Sequence, residues 1–451
     1  MARREQRAAY RVRRLRPRGT LILVLAPMLA LALGGCDRID DVLHRFLLKT
    51  DEIIVEQRPD PVYEQLFPYY VELCALSQWD RKAGGRGNPF GHAVMYLKGA
   101  CKDETAPYPQ LRRCRTVATS FDDPEHGVGV SVGRWFRNVN WVATPGYHLF
   151  YTGNLAPGER LTQAHFDATV REAVDRGVFD GVELHPEWTA KATWTLEDFV
   201  ADQSIATDFA LRFSRNVFCA RLPVTEPVLD EVIAFLNDKN HEYAAGKASY
   251  NWNLLANNCV HTVRNALAAA HVWTPLSVRR VKLMHLLNLA VPANEFVNLA
   301  ILGAEGPFSD DRELHRDDSA RAALLDFRWL PTRHGALVKT MPVHAPNDLY
   351  DTTFRLFAVQ SPLRMGKTNA AVRLLADGRY VDLEQNLRTF GTLYEAILQR
   401  HDDPADPFAS VRGTPLRRIG RLHRDYAGAQ RDEVAALLDR LAALGAASEQ
   451  R

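Results

Sequence analysis

The run Asn257-Asn258-Cys259-Val260-His261 puts a thiol where apolar residues at helical spacing, Val260, Val263 and Leu267, begin to mark one helix face. The asparagines ahead of it are residue types that cap a helix. Unpaired amides and the dipole at a helix start favour the thiolate, the nucleophilic form of cysteine. A thiolate that attacks a carbonyl also needs a proton carrier, and Phe90-Gly91-His92, at the head of an apolar run, supplies an imidazole. Together they could carry out acyl transfer. Cys259 attacks an ester or amide carbonyl, His92 protonates the leaving group, and a thioester forms. Water then releases an acid, or an alcohol or amine takes the acyl group. The Cys259 N–H is a candidate oxyanion donor, with Asn258 and Asn257 assigned to capping or to that same hole.

Other residues compete for attention. Gly129-Val130-Ser131-Val132-Gly133 satisfies the G-x-S-x-G pattern of serine hydrolases, which requires a strand turning sharply into a helix. Alternation of His126, Val128, Val130 and Val132 with Gly127, Gly129 and Ser131 instead predicts a glycine-rich strand. A serine hydrolase using Ser131 therefore stands as a third reading. Gly366-Lys367-Thr368 has the end of a phosphate loop, but Ser361 occupies the position of the earlier glycine. No H-E-x-x-H or paired C-x-x-C occurs, so no metal or other cofactor is expected. A lone cysteine is usually packing, and it is the helix-start setting that favours function for Cys259. His261, two positions on, points to another helix face and reads as structural.

The elements that must position these residues follow from periodicity and breakers. Tyr63 to Leu76 fits an aromatic-rich helix started or kinked by Pro68. Strands are predicted at 92–98, 127–132, 139–143, 147–152 and 216–224, with helices at 163–175, around 196–201 behind a Thr195 cap, and from Glu226 to about 237. Trp188, Trp194, Phe199, Phe209 and Phe213 lie in a region that could cover a cleft or belong to the core. Beyond about Trp273 the pattern is mostly helical, with a possible hairpin at Asp377-Gly378 and an amphipathic helix at 432–444.

Gly91-His92 opening a strand, a later strand, the helix start at Thr225-Glu226-Pro227, Tyr250, and Asn258-Cys259 opening a helix together resemble the permuted papain-like thiol fold. Within that fold the chain resembles lecithin:retinol acyltransferase-like proteins and the periplasmic thiol domain of some lipoprotein N-acyltransferases, over roughly residues 85–270. The resemblance implies an α+β fold, a circularly permuted papain-like core of antiparallel sheet and helices, with the helical region appended. It implies Cys259 as nucleophile and His92 as base, and a third polar group orienting the histidine, for which His126 is the candidate. The loop holding Cys101 and Cys114 between the two histidines departs from the retinol-acyltransferase spacing.

The N-terminus supplies an address. Residues 1–20 hold eight arginines against one glutamate, and the apolar run Leu21 to Leu33 ends in Gly34-Gly35-Cys36. This is a signal-peptide pattern, and Leu33-Gly34-Gly35-Cys36 resembles a bacterial lipobox, so Cys36 is expected to carry lipid and tether the chain to a membrane facing the periplasm. Asp37 weakly favours the inner membrane over the outer. The arm 1–35 carries an excess of seven positive charges, and removing it takes the formal net charge from +2 to about −5, which argues against a nucleic-acid partner. The expected organisation is signal peptide 1–35, tether 36–62, thiol domain 63–274 and helical region 275–451. An exported chain favours disulfides. Cys101 with Cys114, and Cys74 with Cys219, are candidate pairs whose connectivity spacing leaves open, and the odd count puts one thiol over. Two function classes remain. One is a lipid-anchored thiol hydrolase or acyltransferase acting on envelope lipid or peptidoglycan. The other is a non-catalytic envelope lipoprotein using the fold as a binding scaffold.

Overall fold

The computed structural model describes residues 47–48, 61–78, 88–115, 126–146, 158–189, 195–203, 217–253, 257–270, 272, 291–305, 334–341, 346–349, 356–357, 371, 373–402 and 414–449. The chain divides between Phe46 and Leu47, and the described residues belong to the second unit. Cys36, the Gly366-Lys367-Thr368 segment, the strand expected at 147–152, Trp194, Phe209 and Phe213 lie outside them.

The fold is α+β. Its centre is a six-stranded antiparallel sheet in the order β7-β6-β3-β2-β8-β9, formed by Trp141–Pro145, Gly127–Val132, Asn88–Lys98, Tyr70–Gln78, Val217–Pro223 and Leu337–Met341. Two small pairs, β1 (Leu47–Leu48) with β10 (Leu356–Phe357) and β4 (Ala100–Lys102) with β5 (Leu111–Arg113), lie outside it. The helices used below are α1 (Pro61–Leu66), α2 (Gln163–Asp175), α3 (Pro186–Thr189), α4 (Leu196–Gln203), α5 (Glu226–Ala244), α6 (Cys259–Ala269) and α7 (Pro292–Glu305), then α8 (Gly378–Val381), α9 (Leu383–Asp402) and α10 (Thr414–Glu449).

The stretch expected as one helix from Tyr63 to Leu76 divides. Only α1 is helical, and Tyr70 onward is the central strand β2. Pro68 ends the helix, and the alternation of Tyr70, Glu72 and Cys74 with Val71, Leu73 and Ala75 gives the strand two buried faces. Phe218 of β8, opposite Ala75, packs on Phe296 of α7 with ring centroids 5.6 Å apart, so this face looks onto the helices. The other face carries an ionic cluster. Glu64 of α1 lies 3.0 Å from Lys98 Nζ and 2.9 Å from His126 Nε2 and accepts the Tyr70 hydroxyl at 2.8 Å, while Arg221 Nε donates to Glu72 at 2.6 Å. Burying these charges is tolerable because each has an opposite partner.

Both cysteine pairs are disulfides. Cys74–Cys219 joins residues directly opposite on β2 and β8, and Cys101–Cys114 closes the loop between β4 and β5. The C-terminal region contributes β9 to the sheet edge, then the α9–α10 hairpin, whose Arg440 donates to the Gln65 carbonyl on α1 at 2.8 Å. Asp377-Gly378 is no hairpin turn. Asp377 caps α8 by accepting the Arg379 N–H at 3.1 Å. The helix read at 432–444 is the latter part of α10. Among the described residues no helix is long and apolar enough to cross a membrane.

Candidate functional site

Helix α6 begins as the sequence suggests, with Asn258 as N-cap in extended backbone accepting the His261 N–H at 3.2 Å. The Asn258 N–H in turn donates to His261 Nδ1 at 3.3 Å, so His261 serves as the reciprocal half of a capping box. Asn257 exchanges both backbone hydrogen bonds with Asn253, at 2.8 and 2.9 Å, and its side chain donates to the Asn251 carbonyl at 3.1 Å. The two asparagines thus hold the loop that delivers Cys259. Thr262 on the same helix donates to Asn140 Oδ1 at 2.7 Å and ties α6 to the start of β7.

His92 reaches the same place from β3. Gly91 before it has φ +72°, the left-handed region that favours glycine, next to the point where the β2–β3 register shifts. Pairing of β6 with β3 ends at Ser131 opposite Val94, and beyond that pair the Ala93 N–H donates to the Cys259 sulfur. The Val260 N–H and the His92 side chain also hydrogen-bond this sulfur. Cys259 is buried and is the free cysteine of the described residues. Burial on its own raises the thiol's pKa. The charge and hydrogen bond of His92, together with the two backbone N–H groups, overcome it and bring the thiol below its ordinary range.

The structure therefore brings together two of the expected residues, Cys259 and His92, from positions far apart in sequence. It does not bring His126 to them. His126 sits at the far end of β6 on Glu64, with its ring stacked on Tyr96 at 6.3 Å, and five extended residues, roughly 17 Å, separate it from Ser131. The group beside the imidazole is Ser131, whose Oγ is 2.7 Å from His92 Nε2. Ser131 and His92 project from the same side of their paired strands, one pleat apart, which is what the contact requires. The signal for it was the G-x-S-x-G segment. Its last glycine, Gly133, is required for space, since a Cβ there would stand 2.4 Å from the Phe136 ring.

Tyr250 was part of the motif order without a role. Its ring is fully buried against Tyr243, and its hydroxyl has no hydrogen-bond partner among the described residues. Burial raises its pKa, and the Cys259 charge raises it further, so the Tyr250 hydroxyl stays neutral. Asn240 had no signal at all, yet its side chain accepts the Asn140 N–H at 2.7 Å and donates to the Pro109 and Trp141 carbonyls at 2.8 and 3.0 Å, fixing α5 against β7. Trp188 and Phe199 from the expected cover pack together in the core, with centroids 5.1 Å apart.

The cluster Glu72, Cys74 and Cys219 has metal-ligand spacing, but both its sulfurs are in a disulfide and Glu72 is paired with Arg221. Compared with family models, with curated proteins and with solved structures, the chain finds no match.

Proposed function

We propose that this chain is a cysteine-dependent hydrolase or acyltransferase with a permuted papain-like core, acting on amide or ester bonds of envelope substrates, and tethered to a membrane through Cys36. The observation that carries this reading is the hydrogen-bonded Cys259–His92 pair, in which the imidazole holds the thiol below its ordinary range. In the first step the thiolate sulfur bonds to the carbonyl carbon and the carbonyl π electrons move to oxygen. The Cys259 N–H at the helix start and the buried Tyr250 hydroxyl are the candidate donors to that oxyanion. Protonated His92 then gives its proton to the leaving nitrogen or oxygen as the carbon–heteroatom bond breaks, leaving a thioester. Water, an alcohol or an amine, deprotonated by His92, attacks the thioester and returns the thiolate. Ser131 is a positioning residue that holds the imidazole at Nε2.

The test is incubation of purified protein with labelled phospholipid and with muropeptides, followed by mass spectrometry. A thioester on Cys259 that is lost in Cys259→Ala is the expected result. Processing by Cys259→Ala at the wild-type rate would leave the fold as a binding scaffold.

A serine nucleophile at Ser131 is the second reading, favoured by the 2.7 Å contact to the same imidazole. Against it, Ser131 is fully buried inside a strand, whereas Cys259 keeps 8% exposure at a helix start. Fluorophosphonate labelling that vanishes in Ser131→Ala and persists in Cys259→Ala would establish the serine.

A further inference from the structure

Of the groups that hydrogen-bond the Cys259 sulfur, the His92 side chain and the Ala93 N–H belong to β3, not to the helix that carries the thiol. The thiolate is therefore supported only while the start of α6 stands at a fixed distance from that strand. The contacts that shape the start of α6 do not set this distance. Asn258 and His261 cap the helix within its own first turn, and Asn253 and Asn257 close the preceding loop on itself. Val260 and Val263 are fully buried, but apolar burial is non-directional and lets a helix slide or turn on the face it covers.

A directional contact comes from Thr262, one turn beyond Cys259 on the same side of the helix. Its hydroxyl donates to Asn140 Oδ1 at 2.7 Å, and both residues are buried. Asn140 is itself fixed. Its N–H donates to Asn240 Oδ1 on α5 at 2.7 Å, and the Trp141 N–H donates to the same oxygen at 3.3 Å. The Asn240 amide nitrogen donates in turn to the Pro109 and Trp141 carbonyls, at 2.8 and 3.0 Å. Every donor and acceptor site of that fully buried amide is used, so it has one orientation. Pro109 lies in the loop closed by the Cys101–Cys114 disulfide, the segment by which this chain departs from the retinol-acyltransferase spacing. The path then closes through the sheet. Asn140 leads into β7, Trp141 and Val142 pair with Val132 and Ser131 on β6, and Ser131 holds His92.

We propose that Thr262 and Asn140 are positioning residues, and that the buried hydrogen bond between them sets α6 against the sheet so that the Cys259 sulfur meets the His92 side chain and the Ala93 N–H. This inference rests on the thiol reading above and adds the residues that keep nucleophile and base in register. With the bond broken, α6 keeps its cap and its apolar face but loses the directional tie one turn from the sulfur. Hydrogen bonds weaken steeply with distance and angle, so a small displacement of the helix start is enough to withdraw the β3 donors from the thiolate.

The test reads the ionisation of Cys259, which needs no substrate. In the protein carrying Cys36→Ser, where Cys259 is the single thiol, the iodoacetamide rate is followed against pH. Thr262→Val keeps the shape of the side chain and removes the hydroxyl, and Asn140→Ala removes the acceptor while leaving its N–H for Asn240. Each should raise the midpoint by about one unit, the order of one hydrogen bond to a charged group, and slow alkylation about threefold below it. The double variant should shift it no further. Thr262→Ser, which restores the hydroxyl, should titrate as wild type. Urea unfolding of the same samples reads the fold separately. An unmoved midpoint, with or without lost stability, would overturn the assignment, because the bond would then serve the fold alone. Additive shifts, a Thr262→Ser midpoint as high as that of Thr262→Val, or failure of both single variants to fold would overturn it too. Absence of a thioester on Cys259 would sink the thiol reading and leave this measurement intact.

Discussion

Replacing His92 with asparagine should separate two things the imidazole does. In the native protein burial is the largest influence on the Cys259 thiol and opposes ionisation; the charge and hydrogen bond of His92 come next, ahead of the Ala93 and Val260 N–H groups. With His92 gone, two backbone donors remain against burial, and the thiol should titrate above its wild-type midpoint. Each unit of pKa supplied by His92 multiplies the thiolate tenfold below the pKa but lowers its intrinsic nucleophilicity about threefold, so alkylation should slow by only about threefold per unit. Acyl transfer also loses its proton donor, worth about 10²- to 10⁴-fold. Turnover should therefore fall far more than alkylation. The assay is the iodoacetamide rate between pH 5 and 10 in protein carrying Cys36→Ser, where Cys259 is the single thiol, since the other four cysteines are in disulfides. The wild-type midpoint should lie below that of His92→Asn. Coincident profiles, or equal losses in alkylation and turnover, would refute the assignment of the imidazole.

Three further outcomes follow from the scaffold. Glu64→Gln leaves buried Lys98 and Arg221 facing a neutral side chain and should cost about 3–5 kcal/mol in urea unfolding. Burial raises the Glu64 carboxyl, but His126, Arg221 and Lys98 hold it below its ordinary 4.5, so its contribution is complete above pH 4.5 and disappears as the pH drops through the folded value. The gap between wild type and Glu64→Gln should accordingly narrow in acid. Asn258→Ala removes the α6 cap and should cost about 1 kcal/mol by the same measurement, together with a loss of thiol reactivity as the first turn frays. Opening the Cys74–Cys219 disulfide by paired alanine substitution should lower stability by about 2–5 kcal/mol, read from the unfolding midpoint.

Local chemistry was legible where short-range forces decide it. The Thr195 cap on α4 was read correctly, its hydroxyl accepting the Asp198 N–H at 3.1 Å while Asp198 accepts the Thr195 N–H at 2.8 Å. Helix α2 and strand β6 appear at the bounds their periodicity indicated. Tyr63 to Leu76 misled because a strand buried on both faces lacks the exposed-polar, buried-apolar contrast that marks one. His126 misled for a related reason. The resemblance made it the candidate orienting group, whereas the Glu64 carboxylate that claims it is supplied by a helix 62 residues earlier.

By itself the sequence determined that a thiol would open a capped helix and that a glycine-led histidine would open a strand, because caps and φ preferences act over a few residues. Tertiary structure decided that these two groups meet, that Ser131 rather than His126 stands at His92 Nε2, and that Tyr250 is fully buried. Those outcomes depend on strand order and register, and register is set by pairing between segments far apart in the chain.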